Sequence, residues 1–141
     1  MLSRLFFVAV VVAQIWFVVR GYRDPHKHFA FQPFNESSTW QADIVRVLPD
    51  GRRVSIRDGW HGYRWPDLVR ARGLGWPWSK HHADYGIAAT LDFLQKALDW
   101  VATHTPRDGE AVRLEADVVY ERNRGGEVRV RLVSRDRPGA R

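Results

Sequence analysis

The longest hydrophobic stretch of this chain lies at its N-terminus. Residues 5–19 are all apolar except Gln14. As an α-helix this stretch would extend about 22 Å, and the flexible side chains of Arg4 and Arg20 can reach outward at its two ends, which brings the span near the roughly 30 Å of a bilayer core. The pattern therefore predicts a transmembrane signal-anchor helix over residues 1–20.

Three interpretations of this helix compete, and a retained anchor is favoured. A cleaved signal peptide needs small residues before the cut, but the best candidate site, residues 19–21, contains Arg20. A helix buried in a soluble core would have a polar face, and this stretch has none. In a retained anchor, Gln14 would prefer a partner helix and Trp16 would lie near the membrane interface, so these two residues are the candidate contacts of the membrane helix.

The flanking charges leave open on which side of the membrane the rest of the chain lies. Arg20, Arg23 and Lys27 come after the helix, and the positive-inside rule then favours a cytoplasmic domain. The short N-terminal tail with Arg4 instead has the layout of an uncleaved signal, which stays in the membrane while the C-terminal part of the chain is exported. The basic residues after the helix could also contact anionic lipid headgroups.

Turn-forming residues separate this helix from a region of alternating polarity. Residues 21–38 contain Asp-Pro, Gln-Pro and Asn-Glu-Ser-Ser sequences and are expected to form a linker. Residues 39–134 are expected to form one small domain. It begins with a hairpin of two strands, residues 39–48 and 52–57, joined by a Pro-Asp-Gly turn.

Helical periodicity occupies the middle of this domain. A short helix is predicted over residues 66–72, from a proline in its first turn to a glycine stop. A longer helix is predicted over residues 86–104, with Asp84 as its candidate cap. Phe93 and Trp100 are seven residues apart and suggest that this helix is covered on two sides. Its main apolar stripe is formed by Ile87, Leu91, Leu94, Leu98 and Val101.

Strict alternation of apolar and charged residues returns near the C-terminus. Residues 111–121 and 128–132 each place apolar side chains on one face and charged side chains on the other. A three-residue loop that ends at Gly125, with this glycine in the left-handed conformation, keeps the two faces aligned. The resulting register sets Asp117 opposite Arg131 and explains much of the basic character of this hairpin.

The elements together predict an α+β fold. After the N-terminal transmembrane helix, the order is β-β-α-α-β-β, and the four strands form one antiparallel sheet packed on the long helix. Residues 135–141 are expected to be a disordered basic tail.

The distribution of charge argues against nucleic-acid binding. The net charge is +6, but the first 23 residues carry +3 and the last 20 carry +5, which leaves −2 for the residues between them. A nucleic-acid-binding domain would need a basic face on its folded body.

The sequence contains no recognisable catalytic or cofactor motif. There is no Cys, no metal-ligand spacing among the six His, no phosphate-binding glycine loop and no nucleophile elbow. We therefore expect no metal and no cofactor. A membrane-tethered enzyme that uses Glu36, His61 or His82 stays an alternative, although each of these residues also fits a turn, a cap or a solvated loop.

The most unusual stretch is the segment from residue 60 to residue 78. Aromatic residues with polar edges are enriched at protein interfaces and membrane surfaces. They could form a second small core or a docking surface, and both can hold if Trp60, Trp65 and Trp100 point inward while Tyr63, Trp76 and Trp78 point outward. The candidate docking residues for a partner or ligand are Trp60, Tyr63, Arg64, Trp65, Trp76 and Trp78.

Residues 29–68 resemble the extramembrane part of HTTM-type bacterial membrane proteins, which are related to vitamin K-dependent carboxylase. The resemblance rests on "FAFQPFNESSTWQADIVRVLPDGRRVSI" and the subsequent "GWHGYRWPDL". It implies a small exported domain that accompanies such a membrane protein. That family has a multi-helix membrane bundle, whereas this chain has one hydrophobic helix, so no catalytic residue is carried over.

These observations favour a non-catalytic role. We expect a single-pass membrane protein whose domain is extracytoplasmic and serves as an accessory subunit of a membrane protein complex. A module that binds a lipid or a cell-envelope ligand is the second interpretation, and the tethered enzyme is the third.

Overall fold

The computed structural model describes residues 2–23, 36–57, 64–71, 73–105 and 108–138. The chain divides into two compact units, residues 1–35 and residues 36–141. The helices and strands are α1 (Leu2–Arg23), β1 (Ser38–Val47), β2 (Arg53–Ser55), α2 (Trp65–Leu68), β3 (His81–His82), α3 (Ile87–His104), β4 (Arg113–Arg122) and β5 (Glu127–Val133).

The first unit contains α1, and its apolar side chains are exposed around the whole helix. Over Arg4–Gly21 this helix is long and apolar enough to cross a membrane, a test of length and composition that a signal sequence near the N-terminus also passes. The N-terminal apolar helix expected from the sequence is therefore present. Its two ends carry basic residues: Arg4 near the start, and Arg20 and Arg23 in the last turn.

The second unit is built on an antiparallel sheet. The strand order is β2-β1-β4-β5, and β1 pairs with β4 along its whole length, from Ser38 opposite Arg122 to Val47 opposite Arg113. The sheet has five strands rather than the expected four, because β3 pairs with Thr39 and Trp40 on the edge of β1 that β2 leaves free. A two-residue strand is too short to produce an alternation that the sequence could reveal.

The C-terminal hairpin has the predicted register. Asp117 lies opposite Arg131, as the alternation of the two strands required. The left-handed residues are Asn123 and Arg124, with φ of 51° and 58°, and not Gly125. The turn is closed by the Gly125 amide, which donates to the Arg122 carbonyl at 2.8 Å, and left-handed conformations at both central residues match the twist of a tight hairpin.

Helix α3 packs on one face of the sheet and forms the core with it. Leu94, Leu98 and Val101 of the helix and Ile44 and Leu114 of the sheet are fully shielded from solvent, so the predicted apolar stripe of the helix does face inward. The helix begins with Gly86 as its cap residue, and no side chain of its own first turn caps it.

Two expectations for the helical region are wrong. The short helix spans Trp65–Leu68 and not residues 66–72, and no side chain caps it at its start. Trp65 is buried in the core as expected, but Trp100 is 46% exposed. The stripe of Phe93 and Trp100 therefore faces outward, because α3 contacts the sheet through its other side.

A buried polar cluster lies at the end of the sheet where β1 ends and β4 begins. The Arg46 guanidinium donates to Asp108 Oδ1 at 3.1 Å, and the same oxygen accepts the amides of Glu110 and Ala111 at 3.0 Å. Arg137 is also buried and donates to the carbonyls of Thr105 and Asp108. Packed structure therefore extends past Ser134, where the sequence suggested that a disordered tail begins.

Candidate functional site

Residues 73–80 form an exposed loop, called here the aromatic loop, and buried groups hold its base in place. Gly75 lies so close to the preceding segment that a Cβ there would be 2.6 Å from the Val69 carbonyl oxygen. The indole N–H of Trp65 donates to the Leu74 carbonyl at 2.8 Å. Because Trp65 is fully buried and supports the loop from below, it is a core residue and not part of a docking surface.

The middle of the aromatic loop is attached to the edge of β1. The Ala42 amide donates to the Pro77 carbonyl at 2.7 Å, and the Pro77 side chain is buried. The two tryptophans on either side of this proline form an edge-to-face pair, with Trp76 and Trp78 ring centroids 5.1 Å apart. His81 Nε2 lies 2.7 Å from the Trp76 carbonyl oxygen. The loop is thus held in one shape although Trp76 is 58% exposed.

A broad depression adjoins Trp78 on the face of the sheet opposite α3. It has a volume of about 780 Å³. The indole N–H of Trp78 is buried and has no hydrogen-bond acceptor among the described residues, although buried polar groups are normally satisfied. The depression is lined by Gln41, Ala42, Asp43, Ser55, Arg57, Trp78, Asp117 and Val119.

Two carboxylates lie side by side in the lining of this depression. Asp43 and Asp117 occupy directly opposed positions of β1 and β4. Asp117 accepts from Arg53 at 2.7 Å and from Arg131 at 2.8 Å. Burial by itself would raise the pKa of Asp117, but the hydrogen bonds and positive charges of Arg131 and Arg53 outweigh it and hold this pKa below the ordinary value.

Asp43 differs from Asp117 because none of the described residues forms an ion pair with it. Its side chain is exposed and forms no ion pair with any residue in the described ranges. Like charges at directly opposed positions of a sheet are unfavourable unless they are compensated. Asp43 therefore presents a carboxylate that has no ion-pair partner among the described residues, in the depression that Trp78 also lines.

The structure brings together only part of the site expected from the sequence. Trp76 and Trp78 are adjacent, but of these two only Trp76 points outward as expected, because Trp78 is half-buried and packs against the core. Trp60 and Tyr63 lie outside the described residues. Arg64 is exposed, and its Nε lies 3.0 Å from Asp67 Oδ2, an ion pair at the start of α2. Trp65 belongs to the core beneath the aromatic loop.

The candidate contacts of the membrane helix are both exposed on α1. Gln14 lies within the apolar stretch, and Trp16 is near its C-terminal end. The Trp16 ring contacts Phe17 edge-on, with centroids 5.1 Å apart, and the Arg20 guanidinium lies over the Trp16 ring at 5.1 Å. Arg20 and Arg23 lie in the last turn of the helix, and Lys27 is outside the described residues.

The carboxylate considered as a catalytic acid has a structural role. Glu36 Oε1 accepts the Ile87 amide at 2.7 Å and the Ser38 hydroxyl at 2.8 Å, and Oε2 lies 3.2 Å from an Arg122 guanidinium nitrogen. Glu36 thereby caps α3 from 51 residues away in sequence. Asp84, the cap expected from the sequence, is exposed and makes no cap bond.

The histidines do not assemble a site in the described part of the chain. His82 is exposed on β3, and His61 lies outside the described residues. Within the ranges that the structure describes, no three His, Asp or Glu side chains are grouped to hold a metal ion.

A second aromatic surface, on α3, is not among the sites expected from the sequence. Tyr85 is 79% exposed, and Phe93 and Trp100 are each 46% exposed. The signal in the sequence is the seven-residue spacing of Phe93 and Trp100, which fits an exposed stripe of the helix as well as a second covered side.

Comparison of this chain with protein families, curated proteins and solved structures gives no match.

Proposed function

We propose that this protein is a non-catalytic, single-pass accessory subunit of a membrane protein complex. The observation that carries the proposal is α1, a helix of 22 residues whose apolar side chains are exposed on every side and which forms a unit apart from the globular one. A helix that is hydrophobic all round and is not buried in protein is suited to a lipid environment.

Gln14 supports a partner within the membrane. It is the polar residue in the middle of the apolar stretch, and a side-chain amide in hydrocarbon gains by hydrogen bonding to another helix. Among the described residues, α1 is the one helix that could span a membrane. The helix that bonds to Gln14 would therefore belong to another chain.

The aromatic loop and the adjoining depression are the proposed docking surface for the partner's extramembrane part. Trp76 offers a large exposed ring on a loop that is already ordered, so docking costs little additional conformational entropy. Asp43 offers a negative charge in the adjoining depression, which Trp78 also lines. The fitting partner surface is therefore an apolar pocket for Trp76 with a basic side chain beside it.

The proposed location of the globular unit is the extracytoplasmic side. The resemblance of residues 29–68 to an extramembrane domain of HTTM-type proteins supports this side.

The proposal is tested by the size of the complex extracted in mild detergent. We expect Gln14→Leu and Trp76→Ala each to shift the protein toward its monomer size, with a loss of binding of about ten-fold or more for the tryptophan, the scale of an interface hot spot. The matched controls are Ala13→Leu in the same helix and Trp100→Ala, another exposed tryptophan. If the Gln14 and Trp76 variants both migrate like the unmodified protein, the accessory role is wrong.

A further inference from the structure

We propose that the outer flank of α3 contacts the lipid surface and that the aromatic rings of this flank lie in the interfacial zone of the bilayer. This flank, called here the aromatic ridge, consists of Tyr85, Phe93, Trp100 and His104. The inference goes beyond docking to a protein partner, but it rests on the membrane anchorage of α1 that belongs to the proposed function.

The first argument is exposure. Outside α1, four aromatic rings are among the large hydrophobic side chains exposed in the described chain, and three of them lie on this ridge. Tyr85 precedes α3, and Phe93 and Trp100 come after it along the helix. Apolar side chains grouped on one surface mark an interaction site, whereas single exposed ones do not.

The second argument is the arrangement of charge around the helix. At 100° per residue, Phe93, Trp100 and His104 lie within about 40° of one another. The two acidic residues of α3, Asp92 and Asp99, lie about 80° to 140° from these three residues, on the side of the helix where Lys96 also lies. Asp99 is engaged there, because its Oδ1 accepts the Arg135 amide at 2.8 Å.

The remaining side chains near the ridge suit an anionic lipid surface. Ala89 is half-buried on the same side of the helix as the rings, and Lys96 is exposed between the ridge and Asp92. The ridge thus has a cation at its border, and the nearer carboxylate of α3 lies beyond that cation. This combination is typical of helices that lie in the plane of a membrane interface.

The third argument is the kind of ring and its ordering. Tyr, Trp and His combine an apolar body with a polar edge, which is the chemistry enriched at membrane–water interfaces. Tyr85 and Phe93 meet edge-to-face with centroids 6.4 Å apart, and Trp100 and His104 are stacked at 4.4 Å. Because the rings are already ordered in pairs, inserting them at an interface costs little further rotamer entropy.

The fourth argument is proximity to the bilayer. Twelve residues separate the last residue of α1 from Glu36, and an extended chain of that length reaches at most about 43 Å. Once α1 is in the membrane, the globular unit cannot leave the neighbourhood of the lipid surface. A contact that is weak by itself then forms at a high effective concentration.

The experiment uses the full chain in vesicles of phosphatidylcholine and phosphatidylglycerol. Because the chain has no Cys, one introduced cysteine carries one nitroxide label. The three positions are Ala89→Cys on the ridge, Ala13→Cys in α1, and Arg124→Cys in the exposed turn between β4 and β5. We expect the labels at 13 and 89 to collide more with oxygen than with a soluble nickel chelate, and the label at 124 to show the reverse.

A combined variant identifies the rings as the cause. Phe93→Ser with Trp100→Ser should return the label at position 89 to water, while the far-ultraviolet circular dichroism stays unchanged because both side chains are exposed. The matched control is Val128→Ser with Val133→Ser, two exposed apolar residues of β5, which should leave the label at 89 in lipid.

The other outcomes separate the two proposals. If the label at 89 collides more with the nickel chelate while the label at 13 collides more with oxygen, the proposed membrane contact of α3 is wrong and the anchor is unaffected. A label at 89 that is shielded from both reagents indicates a protein contact and also overturns the proposed membrane contact. A label at 13 in water overturns the anchor itself, and with it the inference.

Discussion

The ion pairs of Asp117 are the clearest case in which one residue adjusts the stability of the sheet. Two arginines, Arg53 and Arg131, approach its carboxylate from the strands on either side of the β1–β4 pair. They hold its pKa below the ordinary value, so the ionised form is favoured in the folded protein. The stabilisation is therefore present at neutral pH.

We predict that Asp117→Asn lowers the free energy of unfolding at pH 7 by less than about 1 kcal/mol, because both arginines and the carboxylate are partly exposed. A carboxyl group with a lowered folded pKa stabilises above its unfolded pKa of about 3.9, and this stabilisation is lost as the pH falls through the folded value. The difference between the variant and the unmodified protein should thus narrow as the pH falls below about 3.9. Urea unfolding in nonionic detergent at pH 7 and at about pH 3 measures it.

Asp84→Asn is the matched control for this prediction. It removes an exposed carboxylate that forms no ion pair with any residue in the described ranges, and it should leave the difference in stability between the two pH values as it is in the unmodified protein. If Asp117→Asn and the unmodified protein lose stability equally over this pH range, the arginines do not stabilise the ionised form.

At the scale of single residues, the sequence predicts well what depends on alternation and poorly what depends on distant neighbours. The pairing of Asp117 with Arg131 follows from the polarity of two strands. The left-handed conformation of Asn123 and Arg124 does not follow from the sequence, because Gly125 is the residue that would ordinarily be expected to adopt it. The exposure of Trp100 is not predictable either, since nothing in its spacing shows which flank of α3 meets the sheet.

Helix α3 illustrates how one element depends on a residue far from it in sequence. Its first amide is capped by Glu36, while Asp84, three residues before the helix, is not used. A local cap can be predicted from the sequence. A cap supplied by a segment 51 residues away cannot, because it exists only once β1 and α3 are packed together.

We predict that Glu36→Ala lowers the free energy of unfolding by about 2 kcal/mol, since it removes a helix cap and leaves buried donors without an acceptor. Glu36→Gln should lower it less, because the amide oxygen can still accept from the Ile87 amide. Thermal unfolding followed by circular dichroism in detergent provides the comparison. Asp84→Ala is the control and should be close to neutral; equal losses for Asp84→Ala and Glu36→Ala would contradict the assignment of the cap.

Elements with a strong period were predictable, and short ones were not. The long helix and the β4–β5 hairpin lie within a few residues of their expected positions. The short strand β3 and the shortened helix α2 are defined by packing of the aromatic loop against β1 and the core. Neither carries a period that the sequence alone could reveal.

At the scale of the whole molecule, the proposal to test is that α1 is a retained membrane anchor and that the globular unit lies outside the cytoplasm. We predict that a reporter enzyme that is active only outside the cytoplasm, fused after Arg141, is active while the mass of the chain equals that of the translated product. The mass should be unchanged because the best candidate cleavage site, residues 19–21, contains Arg20.

The control for topology is a second reporter at the same position that is active only in the cytoplasm. Activity of that reporter would place Arg20 and Arg23 on the cytoplasmic leaflet and contradict the extracytoplasmic location. A chain shortened by its first helix would contradict the anchor. The candidate docking surface is less predictable than the anchor, because its shape arises from a loop held by buried Trp65 and Pro77.

The position of Glu36 has a mechanical consequence. It is the first residue of the globular unit, directly after the segment that leads from α1. If α1 is held in a membrane as proposed, a pulling force on that segment reaches the globular unit at this residue. Among the bonds that such a force would load are those from Glu36 to the Ile87 amide and to Arg122, so the segment that would connect the domain to the membrane is also joined to the start of α3.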